Sequence, residues 1–249
     1  MARRAKRSRL RRALTWALRL GLLGIGVWLL YEAWRFPDFT SLQKKNPDTT
    51  AFMRLREEEA QAAGKTLKID QRWVSLSRIS GHLQRAAVAA EDARFFEHEG
   101  FDREAIEDAI DDYREGKKLR GASTISQQLV KNLWLGPERS LPRKAREAAY
   151  TYFLERRLSK ERILEVYLNV AEWGPGTFGA EAASRRHFGV AAADLTPMQA
   201  CLLAAALPSP LKRNPGRPSP YLERRARRLL RFIDGAPEPK GTEPQDLLR

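Results

Sequence analysis

The chain is built around one stretch that holds three motifs: AEDARFFEHEG at residues 90–100, GASTISQQLVKN at 121–132 and RKARE at 143–147. Two carboxylates, Glu91 and Glu147, bracket a segment rich in hydroxyl and amide side chains, and Arg143 and Lys144 stand beside the second carboxylate. Carboxylates suit acid–base catalysis, and neighbouring cations suit a polar substrate that carries anionic groups. The stretch therefore predicts acid–base chemistry on such a substrate.

Helical periodicity places Glu91 late in a helix. Leu83, Ala87 and Ala90 recur on one helical face, which predicts a largely buried helix leading to Glu91. Burial at that point would raise the pKa of Glu91 towards that of a usable base.

The middle motif predicts a helix with a ligand-facing side. Thr124 and Gln127 have capping-box spacing, so the helix is expected to begin there. Gln127, Gln128 and Lys131 share a face and present two amides and a cation. Ser123 and Thr124 lie at the N-terminus of the helix, where free N–H groups favour an anionic or sugar oxygen. Capping alone explains Thr124 and Gln127, but it gives no role to Gln128 or Lys131.

The third motif also has an ordinary interpretation. Ser140 and Pro142 predict the start of a helix, and Arg143 and Lys144 then precede Glu147 by four and three residues. All three side chains can point the same way. A helix-surface salt bridge has the same spacing and contributes about 0.3–0.5 kcal/mol, and taken alone the motif favours that interpretation.

The N-terminus combines a basic arm with an apolar run. Lys and Arg number 45 against 31 Asp and Glu, a net charge of +14, and half of it lies at residues 1–12: Arg3, Arg4, Lys6, Arg7, Arg9, Arg11 and Arg12. Residues 13–34 are predicted to form a transmembrane helix, since a span needs about 20 residues. The basic arm would hold the N-terminus in the cytoplasm, with the main domain outside it.

The N-terminus has two rival interpretations, a signal peptide and a nucleic-acid-binding arm. A cleavable signal peptide is disfavoured because no small-x-small cleavage site follows the apolar run. A nucleic-acid partner is disfavoured because contact with anionic membrane lipids explains a basic arm directly before an apolar span.

The remaining segments are predicted from coarser signals. Residues 35–66 read as a juxtamembrane connector, helical around 51–63, and 67–233 as the main, mostly helical domain. Residues 67–76 carry the one strand signal, 173–179 read as a turn-rich loop, and the proline-rich tail at 234–249 is expected to be disordered. The basic run at 224–231 is interpreted as a solvated helix face. Thr196 and Gln199 have capping-box spacing and predict the start of another helix. Cys201, the single cysteine, lies in the apolar run that follows and is expected to be buried and inert.

The motifs resemble glycosyltransferase family 51, the peptidoglycan glycosyltransferases. The resemblance rests on EDARFFEHEGFD at 91–102, STISQQLVKN at 123–132, RKARE at 143–147, RILEVYLN at 162–169 and LPSP at 207–210, which occur in the family's order. They cover roughly residues 74–211. The chain ends soon afterwards, so a monofunctional enzyme without the transpeptidase domain of bifunctional penicillin-binding proteins is expected.

The resemblance implies a mainly α fold with a lysozyme-like head, a smaller membrane-proximal jaw and one N-terminal transmembrane helix. It implies lipid II, a disaccharide-peptide on undecaprenyl pyrophosphate, as the substrate, and a growing glycan chain as the partner in the reaction. The expected location is the bacterial inner membrane, crossed once, with the catalytic domain in the periplasm. Other cell-wall synthesis proteins are candidate partners, and a nucleic acid is not.

Roles follow from the resemblance residue by residue. Glu91 would be the general base that deprotonates the sugar 4-hydroxyl of the acceptor, and Glu147 would assist near the pyrophosphate. The expected substrate-binding residues are Arg94, Ser123, Thr124, Gln127, Gln128, Lys131, Asn132, Arg143 and Lys144. Among them, Lys131, Arg143 and Lys144 would stabilise the leaving pyrophosphate. A divalent cation, Mg²⁺ or Mn²⁺, could bridge pyrophosphate and a carboxylate, but the sequence offers no dedicated metal-ligand set.

One departure from the family pattern and two rival functions remain. Ala122 stands where many members carry a second glycine, which would restrict the loop before Ser123. A lytic enzyme that cleaves peptidoglycan would also use a glutamic acid, but it needs no cations for pyrophosphate. A non-catalytic, membrane-anchored scaffold is the second rival.

Overall fold

The computed structural model describes residues 2–117 and 121–235. The chain divides into two compact units, Met1–Asp38 and Phe39–Arg249.

The first unit is built on one long helix, α1 (Ala2–Trp34). Its segment Leu14–Trp34 has 21 residues and a mean hydropathy of 1.5, with the apolar side chains exposed. Length and composition therefore allow a membrane span, in agreement with the predicted helix at 13–34, although a signal sequence would meet the same two conditions. The helix starts at Ala2, so the backbone of the basic arm is helical too.

The second unit begins with the connector. Helix α2 (Ala51–Ala62) starts where the Thr50 side chain accepts the N–H of Met53, which confirms the helix predicted around 51–63. The Arg56 guanidinium binds both carboxylate oxygens of Glu172 at 2.9–3.1 Å, far along the chain. This ion pair fixes the connector helix to the main domain.

The main domain is mainly helical, as predicted. Its helices are α3 (Gly81–Glu91), α4 (Arg103–Arg114), α5 (Ile125–Val130), α6 (Leu141–Arg157), α7 (Lys160–Val170), α8 (Ala180–Phe188), α9 (Pro197–Ala206) and α10 (Pro220–Ile233). A π-helical turn, Lys131–Leu135, extends α5. The predicted capping signals are confirmed, because Thr124, Ser140 and Thr196 each accept a backbone N–H from the first turn of their helix.

The strand prediction was partly wrong. Of the segment 67–76 only β1 (Asp70–Gln71) is a strand. The segment predicted as a turn-rich loop instead contributes to β2 (Glu172–Gly174) and β3 (Thr177–Phe178), and β3 lies between the other two, parallel to β1 and antiparallel to β2.

Close packing explains why the loop prediction failed at 172–179. Trp173 and Phe178 are fully buried, so the short hairpin belongs to the core. Gly179 follows it with φ +85°, and a Cβ there would lie 2.7 Å from the Asn169 carbonyl oxygen. Only glycine permits both that conformation and that approach.

The core has two parts, and both support the stretch from 91 to 147. The first packs α5 against α6 and α7, and the second packs the small-residue helix α9 between α3 and α10. Cys201 is fully buried on α9, and burial raises the pKa of its thiol to about 12. The expectation of an inert cysteine is therefore confirmed.

The C-terminal helix corrects the interpretation of its basic run as a solvated face. Arg224, Arg227 and Arg231 are exposed, but Arg225 is 4% exposed and faces the core. Leu222 and Leu229 lie three residues before it and four after it, so Arg225 belongs to their buried stripe. Helix α10 ends at Ile233, and the predicted disordered tail at 234–249 lies outside the described residues from 236 onward.

Candidate active site

Four helices bring the candidate residues together. Glu91 is the last residue of α3, Gln128 lies on α5, Glu147 on α6 and Tyr167 on α7. Helix α5 packs on α6, which carries Glu147, and its Gln128 side chain bonds Glu91 on α3, so the middle motif contacts both of the helices that carry the carboxylates.

The two oxygens of Glu91 differ in their surroundings. Oε2 accepts a hydrogen bond from Gln128 Nε2 at 2.9 Å. Oε1 is buried and has no hydrogen-bond partner among the described residues. Burial raises the pKa of Glu91, although the bond from Gln128 and the charges of Arg225, Lys131 and Arg213 act in the opposite direction. The carboxylate is thus held by one oxygen and offers the other as a proton acceptor.

Lys131 connects the environments of the two carboxylates. It is half-buried, and burial lowers its pKa, while the charges of both Glu147 and Glu91 raise it. Its ammonium group also lies over the ring of Phe52 from α2, 5.9 Å from the ring centre. The Lys131 cation therefore lies close enough to interact with both carboxylates.

Glu147 is buried and bound by both neighbouring cations. Arg143 donates to Oε2 and Lys144 donates to Oε1, so the predicted shared face of α6 is present. Glu147 is 3% exposed, which makes this more than a surface salt bridge. Lys144 is about half exposed, so its ammonium group is also accessible to a ligand.

Two of the predicted substrate-binding side chains serve the backbone instead. The Thr124 hydroxyl donates to the Gly100 carbonyl at 2.7 Å and accepts the N–H of Gln127, and Gln127 Oε1 accepts the N–H of Thr124 at 3.0 Å. Both residues are buried. In this arrangement they shape the start of α5, whereas Ser123, just before the helix, is exposed.

Arg94 is also engaged within the protein. Its guanidinium binds both oxygens of Asp102 at 2.7–3.0 Å and contacts Glu104. It thereby supports the turn before α4, and these contacts do not involve Glu91 or Glu147.

Asp92 and His98 tie the first motif to the second. His98 Nδ1 accepts the N–H of Gly100, so Nε2 carries the proton and donates to Asp92 Oδ1 at 2.9 Å. Asp92 Oδ2 accepts the N–H of Ile125, the first residue of α5, at 2.9 Å. The residue next to Glu91 thus fixes the end of α3 to the start of α5.

The residues present do not fit a divalent cation. Asp92, His98 and Asp102 place ligand atoms within 4.8 Å of one another, but each already bonds a backbone N–H, and Asp102 also binds Arg94. Both oxygens of Glu147 accept from cations. We therefore assign no catalytic step to a metal ion.

A cavity of about 290 Å³ opens beside Gln128, the residue that bonds Glu91. Its lining includes Phe52, Gln128, Lys131, Asn132, Tyr167, Glu172 and residues 207–212. Three predicted substrate-binding residues, Gln128, Lys131 and Asn132, therefore face one cavity, together with the LPSP motif. Ala122, the departure noted in the sequence, adopts negative φ like every described non-glycine residue, so the loop there does not require glycine.

Comparison with known proteins identifies the family. The transglycosylase family model matches residues 58–233, most of the chain. This chain belongs to the transglycosylase family. The match ends with α10, so the transglycosylase region takes in every helix of the site.

Curated transglycosylase relatives match between about two thirds and nine tenths of the chain. A biosynthetic peptidoglycan transglycosylase of Azoarcus sp. strain BH72 is 48% identical over 79% of this chain and 86% of its own length. The protein of the same name from Nitrosomonas eutropha is 45% identical over 90% of this chain and 93% of its own length. That of Rhodospirillum centenum is 53% identical over 66% of this chain and 71% of its own length.

Two residues near the base of this transglycosylase were missed in the sequence. Tyr167 belongs to the RILEVYLN motif but received no role of its own, yet its hydroxyl donates to Gln128 Oε1. Arg225 was read as solvated, yet its charge acts on Glu91. The spacing of Leu222, Arg225 and Leu229 is a signal that could have revealed the second, whereas the first depends on a contact between distant segments.

Proposed function

We propose that this chain is a peptidoglycan glycosyltransferase that polymerises glycan chains from lipid II. Each cycle forms a β-1,4 bond with inversion and releases undecaprenyl diphosphate. The observation that carries the proposal is the pair of unequal oxygens on Glu91, one held by Gln128 and one buried without a partner, in a chain of the transglycosylase family.

Glu91 acts as the general base. Its burial raises its pKa, so it holds a proton more readily than an exposed glutamate would, and Oε1 is the oxygen that takes it. The proton comes from the sugar 4-hydroxyl of the acceptor, whose oxygen attacks the anomeric carbon of the growing chain. One displacement inverts that carbon, from the α-linked pyrophosphate to the β-linked product, so no covalent sugar intermediate is needed.

The cations around Glu147 stabilise the leaving group. Negative charge grows on the pyrophosphate as the glycosidic bond breaks, and Lys131, Arg143 and Lys144 supply compensating charge in a partly buried setting. Glu147 holds Arg143 and Lys144 in place through its two oxygens. A lytic enzyme would have no use for this group of cations.

The cavity beside Gln128 receives sugar and phosphate groups. Gln128, Lys131 and Asn132 line it and offer amides and a cation. Ser123, Thr124, Gln127 and Arg94 remain substrate-binding candidates only if the ligand displaces their present contacts or, for Ser123, meets its exposed hydroxyl.

The protein acts at the outer face of the bacterial inner membrane. Helix α1 crosses the bilayer once, with the N-terminus in the cytoplasm and the catalytic unit in the periplasm, where lipid II carries its sugars. The main domain forms the lysozyme-like head, and α4, with Ile110 and Tyr113 exposed, belongs to the smaller jaw near the lipid.

The decisive assay gives the purified full-length protein lipid II in one reaction and preformed glycan in another. We expect long glycan chains from lipid II and no shortening of the glycan. Shortened glycan would indicate a lytic enzyme, and no reaction with either would indicate a scaffold.

A further inference from the structure

Tyr167 stands at the far end of a hydrogen-bonded chain that reaches Glu91. Its hydroxyl donates to Gln128 Oε1 at 3.1 Å, and Gln128 Nε2 donates to Glu91 Oε2 at 2.9 Å. The three residues come from α7, α5 and α3, so the chain crosses three helices. Tyr167 is only 1% exposed, which keeps bulk water from replacing its hydroxyl.

The orientation of the Gln128 amide matters for the charge on Glu91. An amide presents an acceptor oxygen on one side and a donor NH₂ on the other, and its partners decide which way it is turned. The reversed amide would aim its oxygen at the carboxylate, so two acceptors would face each other. The hydrogen bond that Gln128 Oε1 accepts from Tyr167 stabilises the present orientation relative to the reversed one.

Tyr167 is well suited to remain that donor. Burial raises the pKa of its phenol well above the usual 10, and the charges of Glu91 and Asp92 act in the same direction. The hydroxyl therefore keeps its proton throughout the range in which a carboxylate base works.

We propose that Tyr167 is a positioning residue of the reaction. Through Gln128 it keeps an N–H aimed at Glu91 Oε2, and this leaves Oε1 as the oxygen that accepts the proton. The inference rests on the proposed function, in which Glu91 is the base.

Removing only the phenolic oxygen has a predictable consequence. In Tyr167→Phe the amide of Gln128 can turn both ways, so ionised Glu91 loses its donor part of the time. Loss of a hydrogen bond to the charged form raises the pKa of Glu91 further. Because the base must be ionised to act, kcat falls as pH drops through that pKa, and the acid limb of the profile moves to higher pH.

The test measures kcat and KM for lipid II against pH, using the full-length chain and Tyr167→Phe. On the acid limb we expect kcat to fall by roughly threefold to tenfold relative to the unmodified protein. At pH values above the acid limb, the kcat of the variant approaches that of the unmodified protein, and KM changes little. An acid limb that stays in place overturns the proposal, even if kcat is uniformly lower, because a loss of packing would lower kcat at every pH.

Two further variants test whether a loss of packing explains the effect and whether Tyr167 acts through Gln128. Tyr150→Phe removes the phenolic oxygen of another buried tyrosine, on α6, and should leave the limb unmoved. Gln128→Leu removes the intermediary, so adding Tyr167→Phe to it should cause no further movement of the limb. A full additional movement in the double variant would show that Tyr167 does not act through Gln128.

A titration without substrate separates this inference from the proposed function. Carbon-13 NMR of the glutamate carboxylates, with the Glu91 signal assigned by its loss in Glu91→Gln, follows ionisation directly. We expect the Glu91 titration to move to higher pH in Tyr167→Phe, and an unmoved titration refutes the hydrogen-bonded chain. An active Glu91→Gln enzyme would instead refute Glu91 as the base.

Discussion

At the scale of single residues, Glu91 places an ionisable group where burial disfavours its charge. The folded protein raises the pKa of this carboxyl, so between the unfolded and folded pKa values the native state binds more protons than the unfolded chain. The contribution of Glu91 to stability is therefore present at low pH and is lost as pH rises through the folded pKa. A base at this position costs stability at neutral pH.

We predict that Glu91→Gln raises the free energy of unfolding at pH 7 and changes it much less near pH 4. The amide resembles the protonated acid and can still accept from Gln128. Chemical denaturation at the two pH values measures the effect, and Glu107→Gln, an exposed position on α4, is the matched control. Equal stability changes at both pH values would contradict the raised pKa.

Some of this residue-scale picture was predictable and some was not. The periodicity of Leu83, Ala87 and Ala90 correctly predicted a buried helix ending near Glu91. Spacing also predicted the capping role of Gln127, which is confirmed, but it gave Gln128 no role, and the structure shows that Gln128 bonds Glu91. Capping is local and leaves a spacing signal, whereas the second bond joins residues 37 positions apart.

At the scale of secondary-structure elements, the start of α6 brings together Arg143 and Lys144, the two cations that we propose stabilise the leaving group. We predict that Arg143→Ala combined with Lys144→Ala lowers kcat/KM for lipid II by at least about 100-fold, because the pyrophosphate loses two compensating cations. The matched control is Arg156→Ala with Arg157→Ala, two exposed arginines at the other end of α6.

Thermal unfolding of the same variants separates catalysis from folding. The Arg143 and Lys144 substitutions also leave Glu147 buried without its cations, so some loss of stability accompanies the loss of activity. Equal lipid II turnover in the double variant and in the control would refute the pyrophosphate role of these residues.

The connector helix α2 is fixed by one ion pair. We predict that Arg56→Ala lowers the free energy of unfolding by about 1–3 kcal/mol, because Glu172, with its side chain 5% exposed, is left without its partner. Glu59→Ala is the control, since it removes only the exposed second partner of Arg56 and should change stability by about 0–1 kcal/mol. Equal effects of the two substitutions, measured by urea denaturation, would show that the buried pair does not hold α2.

Helices and strands could be predicted only where the sequence carries a local signal for them. Serine and threonine caps located the starts of α5, α6 and α9 because each cap bonds its own first turn. Strands β1 to β3, with two or three residues each, are too short for an alternating pattern to form. Their pairing depends on burial of Trp173 and Phe178, which only the folded chain provides.

At the scale of the whole molecule, the chain consists of two units, one built on the helix with the apolar segment and one that is catalytic. We predict that a variant lacking residues 1–38 unfolds cooperatively at nearly the same temperature as the full chain, since the second unit has its own cores. Its binding to anionic lipid vesicles should be markedly weaker, because α1 and the basic arm are gone. Unchanged vesicle binding, measured by co-sedimentation, would contradict the anchoring role of α1.

The molecule as a whole is proposed to convert lipid II into glycan by using Glu91 as the base. The most direct measurement is lipid II polymerisation by the full-length protein and by Glu91→Gln, with circular dichroism confirming that both are folded. We predict long glycan chains from the unmodified protein and a loss of at least about 100-fold in the variant. Undiminished chain growth by folded Glu91→Gln would contradict the proposed mechanism.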